Sequence, residues 1–120
     1  MHSGAQAYSN TQRTAVSPRD REAMLLIKAA SQLQFVKDNW SDYKQTLRSA
    51  LTFNRKLWTV LVTSIGREEN ELPIEIKNNI GSLGVFIFKQ TLAMEVNPTP
   101  QKLDSLITIN RELAAGLHGN

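Results

Sequence analysis

Residues 41–65 decide the fold of this chain, and they read SDYKQTLRSALTFNRKLWTVLVTSI. Apolar and aromatic side chains recur there every three to four residues, a spacing that places them on one face of an α-helix. Such a stripe is stable only when it packs against another element. The segment therefore predicts a core helix in an all-helical protein. Its stripe contains Tyr43, Leu47, Ala50, Leu51, Leu57, Trp58, Leu61 and Ile65, with Asn54 among them.

Start and stop signals divide the rest of the chain into further helices. Ser17 precedes Pro18, a pair that is typical of a capped helix N-terminus. Gly66 predicts that the second helix ends in a left-handed turn. Pro98 and Pro100 exclude a continuous helix between the third helix and the fourth. We predict helices at 18–38, 41–65, 73–95 and 100–116.

The first and fourth helices carry apolar stripes of their own. The stripe of the first contains Ala23, Leu26, Ile27, Ala30 and Leu33, and that of the fourth contains Leu103, Leu106, Ile107, Leu113, Ala114 and Leu117. Helices with short connections pack most simply as an antiparallel bundle or as a pair of hairpins. The fold class is therefore all-α, a small helical bundle of about four helices. We expect a single helical domain over residues 17–120, preceded by a flexible tail over residues 1–16, which are small and polar.

The composition limits the possible functions. The chain has 120 residues, 41% of them hydrophobic, a formal net charge of +3 and no cysteine. The absence of cysteine excludes disulfides, thiol catalysis and cysteine-ligated metals in this chain, and it suits a reducing compartment. No apolar run is long enough for a transmembrane helix, and no secretory signal is visible. We expect a cytoplasmic protein that does not contact a membrane.

The sequence does not predict catalysis. His2 and His118 lie at opposite ends of the chain, and neither has a second ligand at the spacing of a metal motif. Gly81 and Gly84 lie inside an apolar helical segment and not in a phosphate-binding loop. The acidic residues are scattered and define no shielded pocket for acid–base chemistry. We therefore expect no enzyme, no cofactor and no metal site.

The third helix is apolar nearly all round. One face carries Ile76, Ile80, Leu83, Ile87 and Met94, and roughly the opposite side carries Ile74, Val85, Phe88 and Leu92. A small bundle has no central helix that could bury both sides, and large exposed apolar patches mark interaction sites. One interpretation is therefore a partner-binding surface. The alternative is that the first helix or the N-terminal tail covers this side.

The second helix shows a milder form of the same pattern. Phe53 and Val60 lie away from its main stripe, and Lys44, Arg48 and Arg55 line one flank of that stripe. These cations could form a solvated edge whose aliphatic stems cover the core margin. They could also form a docking edge for an acidic or polar partner.

Four residues within the stripes are predicted to be structural. Asn54 and Asn110 lie among apolar positions, where a buried amide needs hydrogen-bond partners. We expect the two amides to bond to each other or to backbone groups and to fix the helix register. Trp40 and Trp58 are expected to anchor packing while each indole N–H reaches a polar group.

Three blocks of the sequence together resemble a known family. They are the segment that runs from Ser17-Pro18 to Asn39-Trp40, residues 50–58 (ALTFNRKLW) and residues 103–117 (LDSLITINRELAAGL), preceded by Ala7-Tyr8. In this order and spacing they are similar to FlaF, the flagellar biosynthesis regulator of alphaproteobacteria. The resemblance covers about residues 5–117.

The resemblance implies a cytoplasmic, non-enzymatic protein that is needed for flagellin production. The implied partners are flagellin, whose unpolymerised termini are helical and apolar, and the companion regulator FlbT, which acts on flagellin mRNA. The first hypothesis is a chaperone or adaptor that binds flagellin and supports its synthesis and export. The alternative is a translational regulator that acts on flagellin mRNA through RNA binding or through FlbT.

The first hypothesis assigns a binding surface to the second and third helices. Direct nucleic-acid binding is not expected from so few cations, and the protein is expected to be a monomer or a homodimer. The apolar contacts would be Phe53, Val60, Val85, Phe88 and Leu92, with Arg48 and Arg55 as flanking polar contacts.

Overall fold

The computed structural model describes residues 17–118, which form four α-helices. These are α1 (Pro18–Asp38), α2 (Tyr43–Ile65), α3 (Ile74–Val96) and α4 (Leu103–Leu117). Short 3₁₀ turns, Trp40–Asp42 and Pro100–Lys102, lead into α2 and α4. The all-α fold class and the four helices are confirmed. The predicted flexibility of the tail concerns residues outside the described ones.

The helix ends follow local sequence chemistry, with two corrections. The Ser17 hydroxyl accepts a hydrogen bond from the backbone N–H of Asp20 at 3.0 Å, so the predicted cap of α1 is present. The second and fourth helices begin later than predicted, because their first residues adopt the tighter 3₁₀ geometry that is common at helix starts. Gly66 follows α2 with φ −81° and ψ −7°, which is right-handed. The predicted left-handed turn is therefore wrong.

The helices form a three-helix core with a fourth helix on its flank. The most extensive packing joins α1 to α4, and α1 also packs against α2. The main neighbour of α3 is α2, and its contact with α4 is small. The result is a flat, elongated body of 55 × 34 × 19 Å with a radius of gyration of 16.6 Å. A compact chain of this size has a radius of about 13 Å.

A buried chain of side-chain hydrogen bonds joins α2 to α4. Trp58 donates from its indole N–H to Asn110 Oδ1 at 2.8 Å, and Asn110 Nδ2 donates to Asn54 Oδ1 at 2.7 Å. All three side chains are fully buried. The two amides thus bond to each other in the apolar core, as the sequence predicts. Such a directional pair fits only one axial position of α4 on α2, which supports the predicted role in register.

The second tryptophan packs at the junction of α1 and α2. The Trp40 ring stacks on Tyr43 with the ring centroids 4.3 Å apart and the planes inclined by 11°. Trp40 is half-buried and packs against the edge of the core. It therefore covers one end of the core, whereas Trp58 lies at its centre.

A glycine allows α3 to approach α2 closely. A Cβ atom on Gly84 would lie 2.6 Å from Val62 Cγ2 and 3.9 Å from Trp58 Cε3. The first distance is shorter than any real carbon contact, and the β-branched valine has little freedom to move away. The same construction on Gly81 meets only Ile65 Cδ1, at an ordinary 3.8 Å. The contact between α2 and α3 therefore requires glycine at position 84 and not at position 81.

The two glycines give a matched test of this contact. Both substitutions to alanine gain helix propensity of about 1 kcal/mol. We expect Gly81→Ala to raise the free energy of unfolding by up to that amount. Gly84→Ala should lower it by about 1–2 kcal/mol, because overpacking against Val62 exceeds the gain. Urea denaturation followed by circular dichroism measures both values. Equal stabilisation by the two variants would show that α3 does not lie this close to α2.

The hydrogen-bonded core gives a second test. Asn110→Ala leaves the Trp58 N–H and the Asn54 carbonyl without partners in the core, so we expect a loss of at least about 2 kcal/mol in unfolding free energy. Thr108→Ala, an exposed change on the same helix, serves as the control and should cost less than about 1 kcal/mol. Equal effects in thermal or urea denaturation would contradict the observed network.

Candidate partner-binding surface

The outward side of α3 exposes a row of large apolar residues. We call Ile74, Val85, Leu92 and Val96 the outer stripe; they are 65%, 55%, 60% and 79% exposed. Their spacings of 7, 11 and 22 residues bring them close to one line along the helix. The inward side of α3 is buried independently, through Ile80, Gly84, Ile87, Thr91 and Met94. α3 is therefore apolar on two sides. The rest of the protein buries the inward side, and the outer stripe stays exposed.

Neither α1 nor α4 covers the outer stripe. The extensive contacts of α1 are with α2 and α4, and α4 meets α3 over a small area. Near that area, Gln90 of α3 donates a hydrogen bond to the backbone carbonyl of Lys102 at 2.9 Å. The alternative that the first helix covers this side does not hold. The alternative that the N-terminal tail covers it concerns residues outside the described ones.

All the charged residues of α2 are cationic. The four charged residues of this helix are Lys44, Arg48, Arg55 and Lys56, and it contains no aspartate or glutamate. None of the four takes part in the ion pairs found within residues 17–118, which involve only α1 and α4. We call Lys44, Arg48 and Arg55 the cationic row, because their spacings of 4, 7 and 11 residues place them on one flank. Lys56 points about 100° away from Arg55.

The cationic row lies on the flank of α2 that faces α3. Val62, which contacts the backbone at Gly84, follows Arg55 by seven residues and Lys44 by eighteen, so it has nearly the same angular position. At the other end of the row, Lys44 and Arg48 line an open groove of about 370 Å³ together with the α3 residues Met94 and Glu95. The row therefore follows the α2–α3 junction over its length.

The outer stripe borders the same junction. Gly81 lies against Ile65 of α2, and Ile74 and Leu92 are placed seven residues before it and eleven after it on the same line of α3. Another side of α3 is turned toward the start of α4, where Gln90 donates its hydrogen bond to the Lys102 carbonyl. The cationic row and the outer stripe thus lie side by side on the face of the molecule that is turned away from α4.

This geometry divides the seven predicted contact residues between two surfaces. Arg48, Arg55, Val85, Phe88 and Leu92 lie on or beside the α2–α3 face. Phe53 and Val60 occupy the opposite flank of α2.

Phe53 shows this position most directly. It lines a groove of about 600 Å³ between α1 and α2, where Lys28 Nζ lies 5.3 Å from its ring centroid. Val60 follows Phe53 by seven residues, on the same flank, and is 62% exposed. Phe53 and Val60 thus lie apart from the predicted contact residues of α3, although Phe53 shares an open groove on α2 with Arg48. The binding role of the seven residues stays a prediction.

The predicted contact residues on the α2–α3 face differ in whether they also pack against the core. Phe88 is half-buried and packs against the core beside Gly84, so it has a structural role whatever else it contacts. Val85 and Leu92 are mostly exposed, and Arg48 and Arg55 are exposed. These last four residues can be changed without opening the core.

One family model matches this chain, that of flagellar protein FlaF, over residues 4–117. The chain belongs to the FlaF family. No curated protein and no solved structure matches it. The resemblance inferred from the sequence blocks is therefore confirmed, and with it a role connected to the flagellum.

A second apolar surface of this FlaF-family chain did not follow from the sequence. Met24 and Ile27 of α1 are 67% and 47% exposed and line an open groove of about 960 Å³ between α1 and α4. Phe35, 56% exposed, lines the groove between α1 and α2. The prediction that Ile27 lies on the buried stripe is wrong, because α4 covers a narrower sector of α1. The sequence does contain a signal for this surface. Residues 23–27 (AMLLI) are all apolar, and five consecutive apolar residues cover more of the helix circumference than one buried stripe.

Two further features are absent from residues 17–118, a cluster of metal-binding side chains and a membrane-spanning helix. Within residues 17–118 no three histidine, aspartate or glutamate side chains are placed to hold a metal ion. In the same range no helix is long and apolar enough to cross a bilayer. His118 lies with its Nδ1 3.3 Å from Asp20 Oδ1, which brings the end of α4 to the start of α1. His2 lies outside the described residues.

Paired substitutions on α3 test which residues belong to the core. Leu92→Gln keeps side-chain length and helix propensity at an exposed position, so the unfolding free energy should change by less than about 0.5 kcal/mol. Phe88→Gln removes a ring that packs beside Gly84 and Trp58, so we expect a loss of about 2 kcal/mol or more. Thermal melting followed by circular dichroism gives the comparison. A large loss for Leu92→Gln would place the outer stripe inside the fold.

Proposed function

We propose that this protein binds flagellin through the α2–α3 face and acts as a chaperone or adaptor in flagellin synthesis and export. Membership of the FlaF family supports the flagellar setting. The observation that carries the proposal is the outer stripe: four large apolar side chains, each more than half exposed, on a helix whose inner side is already buried. Exposed apolar rows of this kind are typical of protein-binding surfaces.

The shape of the surface suits a helical partner. The stripe runs along α3, which at 1.5 Å per residue is roughly 34 Å long. A partner helix could lie along it and insert its own apolar residues at helical spacing. The implied chemistry of unpolymerised flagellin, with helical and apolar termini, fits this mode of binding. The action is capture and release, in which no covalent bond is made or broken.

The stripe alone would hold such a helix weakly. Complete burial of the four side chains contributes on the order of 1 kcal/mol for each, and association itself costs several kcal/mol. Weak binding suits a chaperone that must release flagellin for export. It also means that the partner needs further contacts beyond the stripe.

Translational regulation by direct RNA binding has less support. It would depend on the cationic row, and three cations neutralise about three phosphates, which gives weak and salt-sensitive binding. RNA-binding sheets use strands that carry stacking aromatic residues, and residues 17–118 contain no strand. An effect on flagellin mRNA through FlbT is compatible with the adaptor function, because an adaptor can carry its partner to a second protein.

The proposal predicts that neutral polar substitutions on the outer stripe weaken flagellin binding. We expect Val85→Gln with Leu92→Gln to raise the Kd for monomeric flagellin at least about tenfold, because two apolar contacts are lost. Val60→Gln makes the same chemical change at an equally exposed valine on the other flank of α2 and should leave the Kd within about twofold. Isothermal titration calorimetry with purified proteins measures both.

Two outcomes would reject the proposed function. The first is a double variant that binds flagellin as tightly as the parent protein, with circular dichroism showing an intact fold. The second is self-association: if the free protein is a dimer by sedimentation velocity and the double variant is a monomer, a second copy covers the stripe. Flagellin would then need another surface.

A further inference from the structure

We infer that the α2–α3 face selects a partner helix with an acidic edge. The outer stripe would take the apolar side of an amphipathic helix, and the cationic row would take aspartate or glutamate residues along its edge toward α2. This inference rests on the proposed function, because it describes the chemistry of the partner that the same face binds.

No ion pair within residues 17–118 neutralises the charges of the cationic row. α2 contains no acidic residue, and Lys44, Arg48 and Arg55 have no ion-pair partner within residues 17–118. One acid, Glu95 of α3, lines the groove at the Lys44 end. Lys89 of α3 adds a further cation four residues after Val85. The charge beside the stripe is therefore mainly positive, and it is complementary to an acidic partner.

The geometry fixes how the acids of the partner must be spaced. α2 and α3 run antiparallel, because Val62 lies beside Gly84 whereas Lys44 and Arg48 lie beside Glu95. The cationic row extends over eleven residues, or roughly 16 Å, parallel to the stripe. A helix that lies on the stripe presents acids to the row when they recur at i, i+4, i+7 and i+11 on one edge.

The charges act mainly on partner selection. All three cations are exposed, and exposed ion pairs contribute little to affinity and are screened by salt. They still repel a helix whose edge is basic and accelerate the encounter with an acidic one. The apolar stripe beside the row favours an amphipathic helix over a nucleic acid, because RNA has no continuous apolar side to place on it.

Two synthetic peptides test this selection directly. Both are helical, with the same leucine-rich side; one carries glutamate along the edge that faces the row, and the other carries lysine there. We expect the acidic-edged peptide to bind the full-length protein about tenfold more tightly at about 50 mM salt, by fluorescence anisotropy. The preference should fall to about twofold at about 500 mM salt, because the Debye length shortens.

Charge-reversal variants identify the residues responsible. Arg48→Glu with Arg55→Glu should abolish or reverse the preference. Arg55→Glu and Lys56→Glu form a matched pair of adjacent residues on one helix, and only the first should reduce the preference. Binding of the two peptides with equal affinity, or a preference that persists in the double variant, overturns the inference. So does a short single-stranded RNA that binds the row more tightly than the acidic-edged peptide does.

The same experiments separate this inference from the proposed function. The two peptides could bind with equal affinity, and the Val85→Gln, Leu92→Gln protein could lose both. That result would overturn the inferred preference for an acidic edge, but it would support the apolar docking surface. Selective binding of the acidic-edged peptide, together with no binding of flagellin at this face, keeps the surface chemistry and overturns the choice of flagellin as partner.

Discussion

One side chain, Trp58, holds three of the four helices together. It belongs to α2, its indole N–H bonds to Asn110 of α4, and its ring lies close to Gly84 of α3. Because Trp58 is fully buried, these contacts must be satisfied simultaneously or the core loses both a hydrogen bond and close packing. The position of α4 over α2, and the approach of α3 to the same point, therefore depend on this residue. Asn54 of α2 accepts a further hydrogen bond from Asn110, which gives α2 and α4 a second buried connection.

This arrangement leaves α3 with one extensive neighbour, α2, where a closed bundle would provide two. α4 packs mainly on α1 and meets α3 over only a small area. The outer stripe of α3 therefore stays in water, although its composition suits burial. Gly81 and Gly84 lower the intrinsic helix stability of α3 further, and Gly84 regains part of this through close packing. A protein that keeps such a row exposed gains stability when a partner covers it.

The sequence predicted the helices and the amide pair, but not the complete surface. Periodicity fixes the angle of each residue about its own helix, so the buried stripe of α2 and the bonded pair of Asn54 and Asn110 could be anticipated. It does not say which neighbour lies on which flank. Phe53 and Arg55 both lie outside the stripe, and only the packing shows that the first is on the α1 side and the second on the α3 side.

Other differences have similarly local causes. The 3₁₀ turns before α2 and α4 shift their starts, since capping signals do not distinguish the two helix types. Ile27 is half exposed because it lines the open groove between α1 and α4 and is not covered by α4. The apolar excess of α3 was visible in the sequence; that it borders the cationic row required the contact between Gly84 and Val62.

The most direct measurement is a map of backbone amide chemical shifts by heteronuclear NMR as unlabelled monomeric flagellin is added to the labelled protein. We expect the largest changes along α3 from Ile74 to Val96 and along the α2 flank from Lys44 to Arg55, with little change around Met24 and Ile27. Changes concentrated in the groove between α1 and α4, with α3 unaffected, would contradict the assignment of the α2–α3 face as the binding surface.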